Sequence, residues 1–320
     1  MNAGSQTVTG ALDSIQVRLD GLRNNQYLAH NSTEGSGMSS GDAMHNKNYW
    51  LRVFGGGTDQ DMEDGFAGYQ SDTYGLSFGA DTQLSNQWTV GGAFTYALTE
   101  VDMNDFLNND NTDIDTYQLT AYAYRSMERW YIEAMAAYAH QEYSADREAG
   151  AATAKADFDG DIRALRVTAG MPLTFAERYT VAPYTGLELL YVNQDSYTEK
   201  GAGVSSLNVS SVSETFVRGL VGAELSTEVQ FENGTKMVPS LRIGLRHEFS
   251  EESIDATTAV IGGGASVTTR GQAPNENTFT LNAAVDIRSN DNLTITVNLG
   301  GEKSSGYYGY SGQLVAEWSI

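Results

Sequence analysis

Ten charged residues stand out by where they fall: Arg52, Glu133, Arg166, Glu188, Arg218, Glu224, Arg242, Arg246, Glu248 and Asp286. Each occupies the register opposite a run of apolar side chains. The stretch 241–249 shows the pattern best. Leu241, Ile243, Leu245 and Phe249 fall on one face, and Arg242, Gly244, Arg246 and Glu248 on the other. Guanidinium and carboxylate groups gathered on one inner surface do ion-pair chemistry rather than bond-breaking chemistry. A buried charge without a partner is costly. These side chains are therefore expected to line a pore and to pair with each other, with water, and with Asp13, Arg18 or Asp20 of an N-terminal segment inside that pore.

Other chemistry-bearing groups are sparse. The four histidines are His30, His45, His140 and His247, and no serine stands convincingly beside the last two. An interfacial imidazole is favoured over a Ser–His hydrolytic site. The acidic runs 110–115 and 157–161 carry oxygen ligands suited to calcium, but neither completes the twelve-residue loop with its closing Glu. Solvated acidic loops are the expectation, with no metal and no cofactor.

The elements that would position these groups fall into two kinds. Val8, Leu12, Ile15, Leu19 and Leu22 recur at spacings of four, three, four and three, which predicts a helix over residues 8–23. A Ser/Gly-rich linker follows from Asn24 to about Lys47. From Tyr49 the period changes to two. Alternating segments at 49–54, 74–81, 88–96, 117–124, 130–140, 165–173, 179–191, 217–225, 241–249, 279–287, 293–299 and 308–320 predict twelve strands. Short turns alternate with long connections at 59–70, 100–115, 141–161, 194–214 and 250–277. Trp88, Trp130, Tyr179 and Trp318 sit on the short-turn side, as an interfacial aromatic belt would.

Composition narrows the class. The 320 residues carry 19 Lys+Arg against 41 Asp+Glu, a balance that repels nucleic-acid phosphates. Spanning helices need apolar runs of about 20 residues, and runs such as 134–139 are far shorter. Eighteen Tyr, 34 Gly and only 4 Pro suit many long strands. The chain has no Cys, which suits passage through an oxidising periplasm. Residues 1–10 lack a basic and apolar export signal, so an exported protein would carry its signal upstream. Apolar-out, polar-in alternation with uneven loop lengths is the pattern of a closed barrel in lipid. The expected fold is an all-β membrane protein, a 12-stranded antiparallel transmembrane β-barrel with an N-terminal α-helix in the lumen. Residues 1–47 would be helix and linker, and residues 48–320 the barrel.

Several motifs resemble one family, the C-terminal translocator domains of autotransporters. Residues 17–23 (VRLDGLR) are similar to the helix end that precedes those barrels. Residues 49–56 (YWLRVFGG) are similar to their first strand. Arg246-His247-Glu248-Phe249 resembles a ninth-strand motif, and residues 306–310 (GYYGY) the opening of the last strand. The resemblance implies a helix running down through the lumen, with a covalently linked passenger preceding it. Members usually end in an aromatic residue, whereas this chain ends in Trp318-Ser319-Ile320. Some relatives release the passenger by Asn cyclisation. The matching positions here are Asp13-Ser14, so the Asn pair is missing there. Asn24-Asn25 falls after the expected helix, and Asn2-Ala3 above it.

The function this implies is export and surface anchoring of a passenger, without an enzyme activity of the barrel, in the outer membrane of a Gram-negative bacterium. The expected partners are the passenger, the barrel-assembly machinery, and outer-membrane lipid and lipopolysaccharide. The protein is expected to be a monomer that binds no nucleic acid. Two alternatives remain. A barrel enzyme of protease or lipase type would show clustered His/Ser or His/Asp at the loop rim. A passive porin would lack the helix and conduct steadily.

Overall fold

A computed structural model describes residues 2–31, 47–85, 88–176, 178–250, 255–261, 263, 266–269, 274–288 and 292–319. Among the described residues one α-helix, α1 (Asn2–Asn31), and twelve long strands form its frame, with shorter strands and turns between them. The strands are β1 (Lys47–Gln60), β2 (Tyr69–Ser85), β3 (Trp88–Met103), β4 (Asn111–Ser126), β5 (Tyr131–Ala149) and β6 (Ala152–Gly170). They continue as β7 (Tyr179–Gln194), β8 (Val212–Thr227), β9 (Lys236–Glu248), β10 (Asn277–Arg288), β11 (Leu293–Ser304) and β12 (Tyr307–Ser319).

Every long strand pairs antiparallel with its neighbours in sequence, and β12 returns to pair with β1. That seam runs unbroken from Asn48 opposite Ser319 to Gln60 opposite Tyr307. The sheet is thus a closed 12-stranded barrel. Closure satisfies the backbone of every stave, which an apolar surround demands. The outward register is apolar and exposed, as at Leu51, Val53, Leu76, Phe78, Leu241, Ile243, Leu299 and Leu314. No helix among the described residues is long and apolar enough to cross a membrane; the strands do the crossing.

Strand lengths depart from expectation on the long-loop side. A connection expected at 141–161 is instead the top of a hairpin, with Ala149 opposite Ala152 and only Gly150-Ala151 between them. Gly150 adopts φ +71°, the left-handed conformation a two-residue hairpin turn requires. Outward residues change there from apolar to charged, at Glu142, Asp146, Asp157 and Asp159. The strands continue past the point where lipid ends, so loss of outward apolarity marks the membrane boundary and not the strand end. The acidic run 157–161 lies along β6, spread by the two-residue period instead of wrapped in a loop. The long connections after β7 and β9 hold a small sheet of Tyr197–Thr198, Leu207–Val209, Ala256–Val260 and Val267–Thr269. It is tied to β5 and β6 by Phe158, stacked between Tyr143 and Tyr197, and by the two-bonded pair of Arg147 with Glu199. That hydrogen bonding raises the Arg147 pKa above its ordinary value.

The helix lies inside the barrel and is longer than residues 8–23. It continues to Asn31, so the first part of the expected linker is helical. The remainder of that linker, 32–46, lies outside the described residues. The segment is rich in Ser, Thr, Gly and Asn, which are weak helix formers. Packing holds it instead. Val8, Leu12, Ile15, Leu19 and Leu22 join Ala93, Tyr122, Met135, Ala137, Ala139, Ile162, Ala164 and Leu190 in one apolar cluster. Gly4 sits where the helix approaches β5 most closely: a Cβ there would lie 2.6 Å from Gln141 Oε1 and 2.7 Å from the Tyr143 hydroxyl.

Candidate functional site: the lumen and its helix

All ten charged residues expected on the inner register point to the lumen side of the sheet. Arg52, Glu133, Arg166, Glu188, Glu224, Glu248 and Asp286 are buried, and Arg218, Arg242 and Arg246 are half-buried. The closed sheet and the helix together bring nine of them into contact with other charged groups.

Three clusters form along the helix. Near the short-turn end, Arg23 pairs with Glu133 (3.1 Å), Asp20 (2.9 Å) and Glu224. Arg242 donates to both Asp20 oxygens at 2.8 and 3.0 Å, and its guanidinium lies 3.8 Å from the centre of the Tyr184 ring. Gln16 Nε2 donates to Asp20 and Glu133. In the second cluster, Arg18 grips Asp81 with Nε and Nη2, both at 3.0 Å, and reaches Glu317 with Nη1. The Tyr122 hydroxyl donates to Asp81 at 3.0 Å. The third cluster is a chain: Asp13 to Arg166 (2.6 Å), Arg166 to Glu188, Glu188 to Arg218 (3.1 Å), and Arg218 to Glu248 (2.8 Å). Arg246 pairs separately with Glu302 at 2.5 Å, and Asp286 with Arg288 at 3.4 Å.

These pairs are enclosed, so salt screens them less than exposed ones. Desolvation offsets much of the Coulombic gain. Their main effect is directional: carboxylates on several strands and cations on the helix match in one axial and rotational setting.

Two expected residues behave differently. Arg52 meets no carboxylate among the described residues; it donates to Ser77 Oγ at 2.6 Å and lies over the Phe54 ring. Asp13 is only partly buried, its side chain 47% exposed, because it borders a cleft. That cleft, about 220 Å³, runs between the helix and strands β8–β12, β1 and β2. A second cavity of about 70 Å³ continues it toward the short-turn end, sharing Asp13, Arg246, Thr280, Asn282 and Asn298.

Several contributors escaped the sequence reading. Asp81 and Glu302 stood in polar registers but were given no partner. Glu317 shares the inner face of β12, opposite the apolar set that drew attention. Arg23 looked like the end of the helix, and Asn24 like the start of a linker. Asn24 is in fact helical and buried, donating from Nδ2 to Glu224 Oε1 at 3.1 Å. The only signal for this was continued helical spacing, which the polar residues after Arg23 obscured. On the barrel exterior, His140 Nδ1 faces Asp161 Oδ1 at 3.3 Å, and His247 Nδ1 faces Asn277 Oδ1 at 3.0 Å. Neither contact is to a serine.

A closed twelve-stranded barrel threaded by a charged N-terminal helix matches one family model, the autotransporter β-domain, over residues 49–300. The chain belongs to that family. Its barrel is accordingly an outer-membrane one. Among curated relatives, outer membrane protein B of Rickettsia typhi is 22% identical across 98% of this chain, and outer membrane protein A of Rickettsia conorii 25% across 68%. The chain spans 20% and 12% of those proteins' lengths. Among solved structures, it is similar to the translocator domain of the autotransporter NalP from Neisseria meningitidis. The TM-score is 0.71 at 14% identity, covering 98% of this chain and 97% of that one. The β domain of the Bordetella autotransporter BrkA gives 0.67 at 14% identity, covering 86% and 100%. At such identities these two structures bear on the fold alone, and the fold agrees.

Proposed function

We propose that this autotransporter β-domain exports a covalently linked N-terminal passenger across the outer membrane and anchors it at the cell surface. The observation that carries this reading is the course of α1. Its C-terminal half lies against short-turn residues such as Tyr131, Glu133 and Glu224, and its N-terminal end against Tyr69 and Tyr143 on the long-hairpin side. Residues placed ahead of the helix therefore leave the barrel on the long-hairpin side. Long hairpins of outer-membrane barrels face outward. Of the ten pore-lining charges, Glu133, Arg166, Arg218, Glu224 and Arg242 hold the helix as a plug and the others line the channel around it, with residues 1–47 acting as helix and tether and 48–320 as the channel. The barrel-assembly machinery inserts the chain, and outer-membrane lipid and lipopolysaccharide surround a single copy. In this reading the barrel is a conduit and not an enzyme.

The test is surface display. An epitope-tagged reporter fused ahead of Asn2, with an export signal, should become protease-sensitive on intact Gram-negative cells. An epitope at Ala151 should also be reachable, and one at Asn233 hidden. Retention of the reporter in the periplasm, with the barrel inserted, overturns the export role. Planar-bilayer recordings separate the porin alternative, because deletion of residues 1–23 should raise conductance several-fold over the intact protein. Equal conductance would mean the helix does not plug the pore.

A further inference from the structure

Arg52 stands apart from the other arginines that touch the helix or its neighbours. Arg18, Arg23, Arg166, Arg218, Arg242 and Arg246 each contact at least one carboxylate. Arg52 is 1% exposed, yet its Nε and Nη1 meet no acceptor among the described residues. A desolvated guanidinium with no carboxylate opposes folding, and such a group calls for a reason.

Two carboxylates lie from it toward the short-turn end. Across β2, Arg52 faces Ser77 while Asn48, four residues earlier, faces Asp81. Across the closing seam, Arg52 faces Val315 while Trp50 faces Glu317. Glu317 is therefore its diagonal neighbour on the inner face, about 7–8 Å away and within reach of two long side chains. Arg18 of the helix now holds both Asp81 and Glu317. Trp50 lies between the two levels but leans the other way. A Cβ on Gly79 of β2 would fall 2.3 Å from its ring, and its Nε1 donates to Tyr122 on β4. On β12 the residue opposite Trp50 is Glu317 itself, one inner-face step beyond the Val315 that Arg52 faces.

We propose that Arg52 is the stand-in for Arg18. When the helix is not seated, Arg52 swings from Ser77 to Glu317, and the ion pair bridges β1 and β12, the seam at which the barrel closes. When the helix seats, Arg18 takes Glu317 and Asp81, and Arg52 is displaced to Ser77. Docking then exchanges one partner for another, and Glu317 has a cation in both states. This inference rests on the lumen geometry and not on passenger export, so it stands or falls separately from the export reading.

The test is a double-mutant cycle in the full chain, read as the midpoint of thermal unfolding in detergent. Arg52→Met in the native background should leave the midpoint unchanged or raise it. In an Arg18→Met background it should lower the midpoint by several degrees, and adding Glu317→Gln should erase that loss. A crystal structure of Arg18→Met should place the Arg52 guanidinium on Glu317. If Arg18→Met does not fold, Arg18→Lys keeps the charge but loses the two-pronged grip, and a smaller loss of the same sign is expected. Equal effects of Arg52→Met in both backgrounds overturn the proposal, as does Arg52 remaining on Ser77 in the Arg18→Met crystal. Bromide bound at Arg52 Nε and Nη1 in the native protein, with stability tracking halide concentration, would also overturn it and assign Arg52 to an anion site.

Discussion

The two sides of the lumen share one sequence pattern and have different physical states. On β5 the inward residues Tyr131, Glu133, Met135, Ala137, Ala139, Gln141 and Tyr143 are all buried. On β9 the inward residues from Ser240 to Arg246 are only half-buried. The cause is the off-centre helix. Its apolar stripe packs on β3–β6, where Ala93, Ala137, Ala139 and Ala164 leave room for it. Its other face presents Gln6, Gly10, Asp13, Val17 and Gly21 to the cleft. One wall is therefore a packed core, and the other a wet, polar surface within the same barrel. Alternation alone assigns a residue to the inside. Whether the inside is dry depends on where the helix lies.

The comparison can be broken most directly by one substitution placed on each helix face. Leu12→Asp puts an unpaired carboxylate into the packed wall and removes a fully buried leucine, and should cost more than about 4 kcal/mol. Val17→Asp faces the cleft and should cost less than about 1 kcal/mol. Urea unfolding in detergent, followed by tryptophan fluorescence, reads both. Similar losses at the two positions would mean the helix is not held against one wall.

The charged cluster on the short-turn side should show the next largest effect. Arg23→Met leaves buried Glu133 and Glu224 with less compensation, and about 3–5 kcal/mol should be lost. Glu133→Gln added to Arg23→Met should recover part of this, since it removes one of the stranded charges. No recovery in the double variant would show that Arg23 acts through packing on Tyr131 and not through its charge.

Smaller changes sharpen the contrast. Ile15→Val deletes one methylene from the packed wall and should cost about 0.5–1.5 kcal/mol. Thr280→Ala, on the cleft wall, should stay within about 0.5 kcal/mol of the native protein. The native chain has no cysteine, so single cysteines report access without background. Thr280→Cys should react readily with a small charged thiol reagent added to the folded protein. Ala139→Cys, at a position that is 0% exposed, should resist it. Equal reaction rates would remove the distinction between wet and dry walls.

Much of this was legible in the chain. Each of the twelve alternating stretches became a strand, and residues such as Leu241 and Arg242 took the faces that their register assigned. The hairpin of β5 and β6 was legible only to the membrane boundary. Above it, Glu142 and Asp159 still alternate with Gln141 and Gly160, but a carboxylate on the outer face looks the same in a strand as in a loop. Helix residues 24–31 were missed for a related reason. Asn24 and Asn25 are poor helix formers, and what holds Asn24 is Glu224, two hundred residues away in sequence.

The sequence by itself determined whatever depends on neighbours along the chain: the period of two, the apolar stripe of the helix, and the side of the sheet on which each charge falls. The tertiary structure alone decided who meets whom. Asp20 pairs with Arg242 and Asp13 with Arg166, while Arg52 is left to Ser77. Those outcomes depend on the stagger between strands and on the depth and rotation of the helix. A two-residue slip in strand register preserves every inward face and changes every partner.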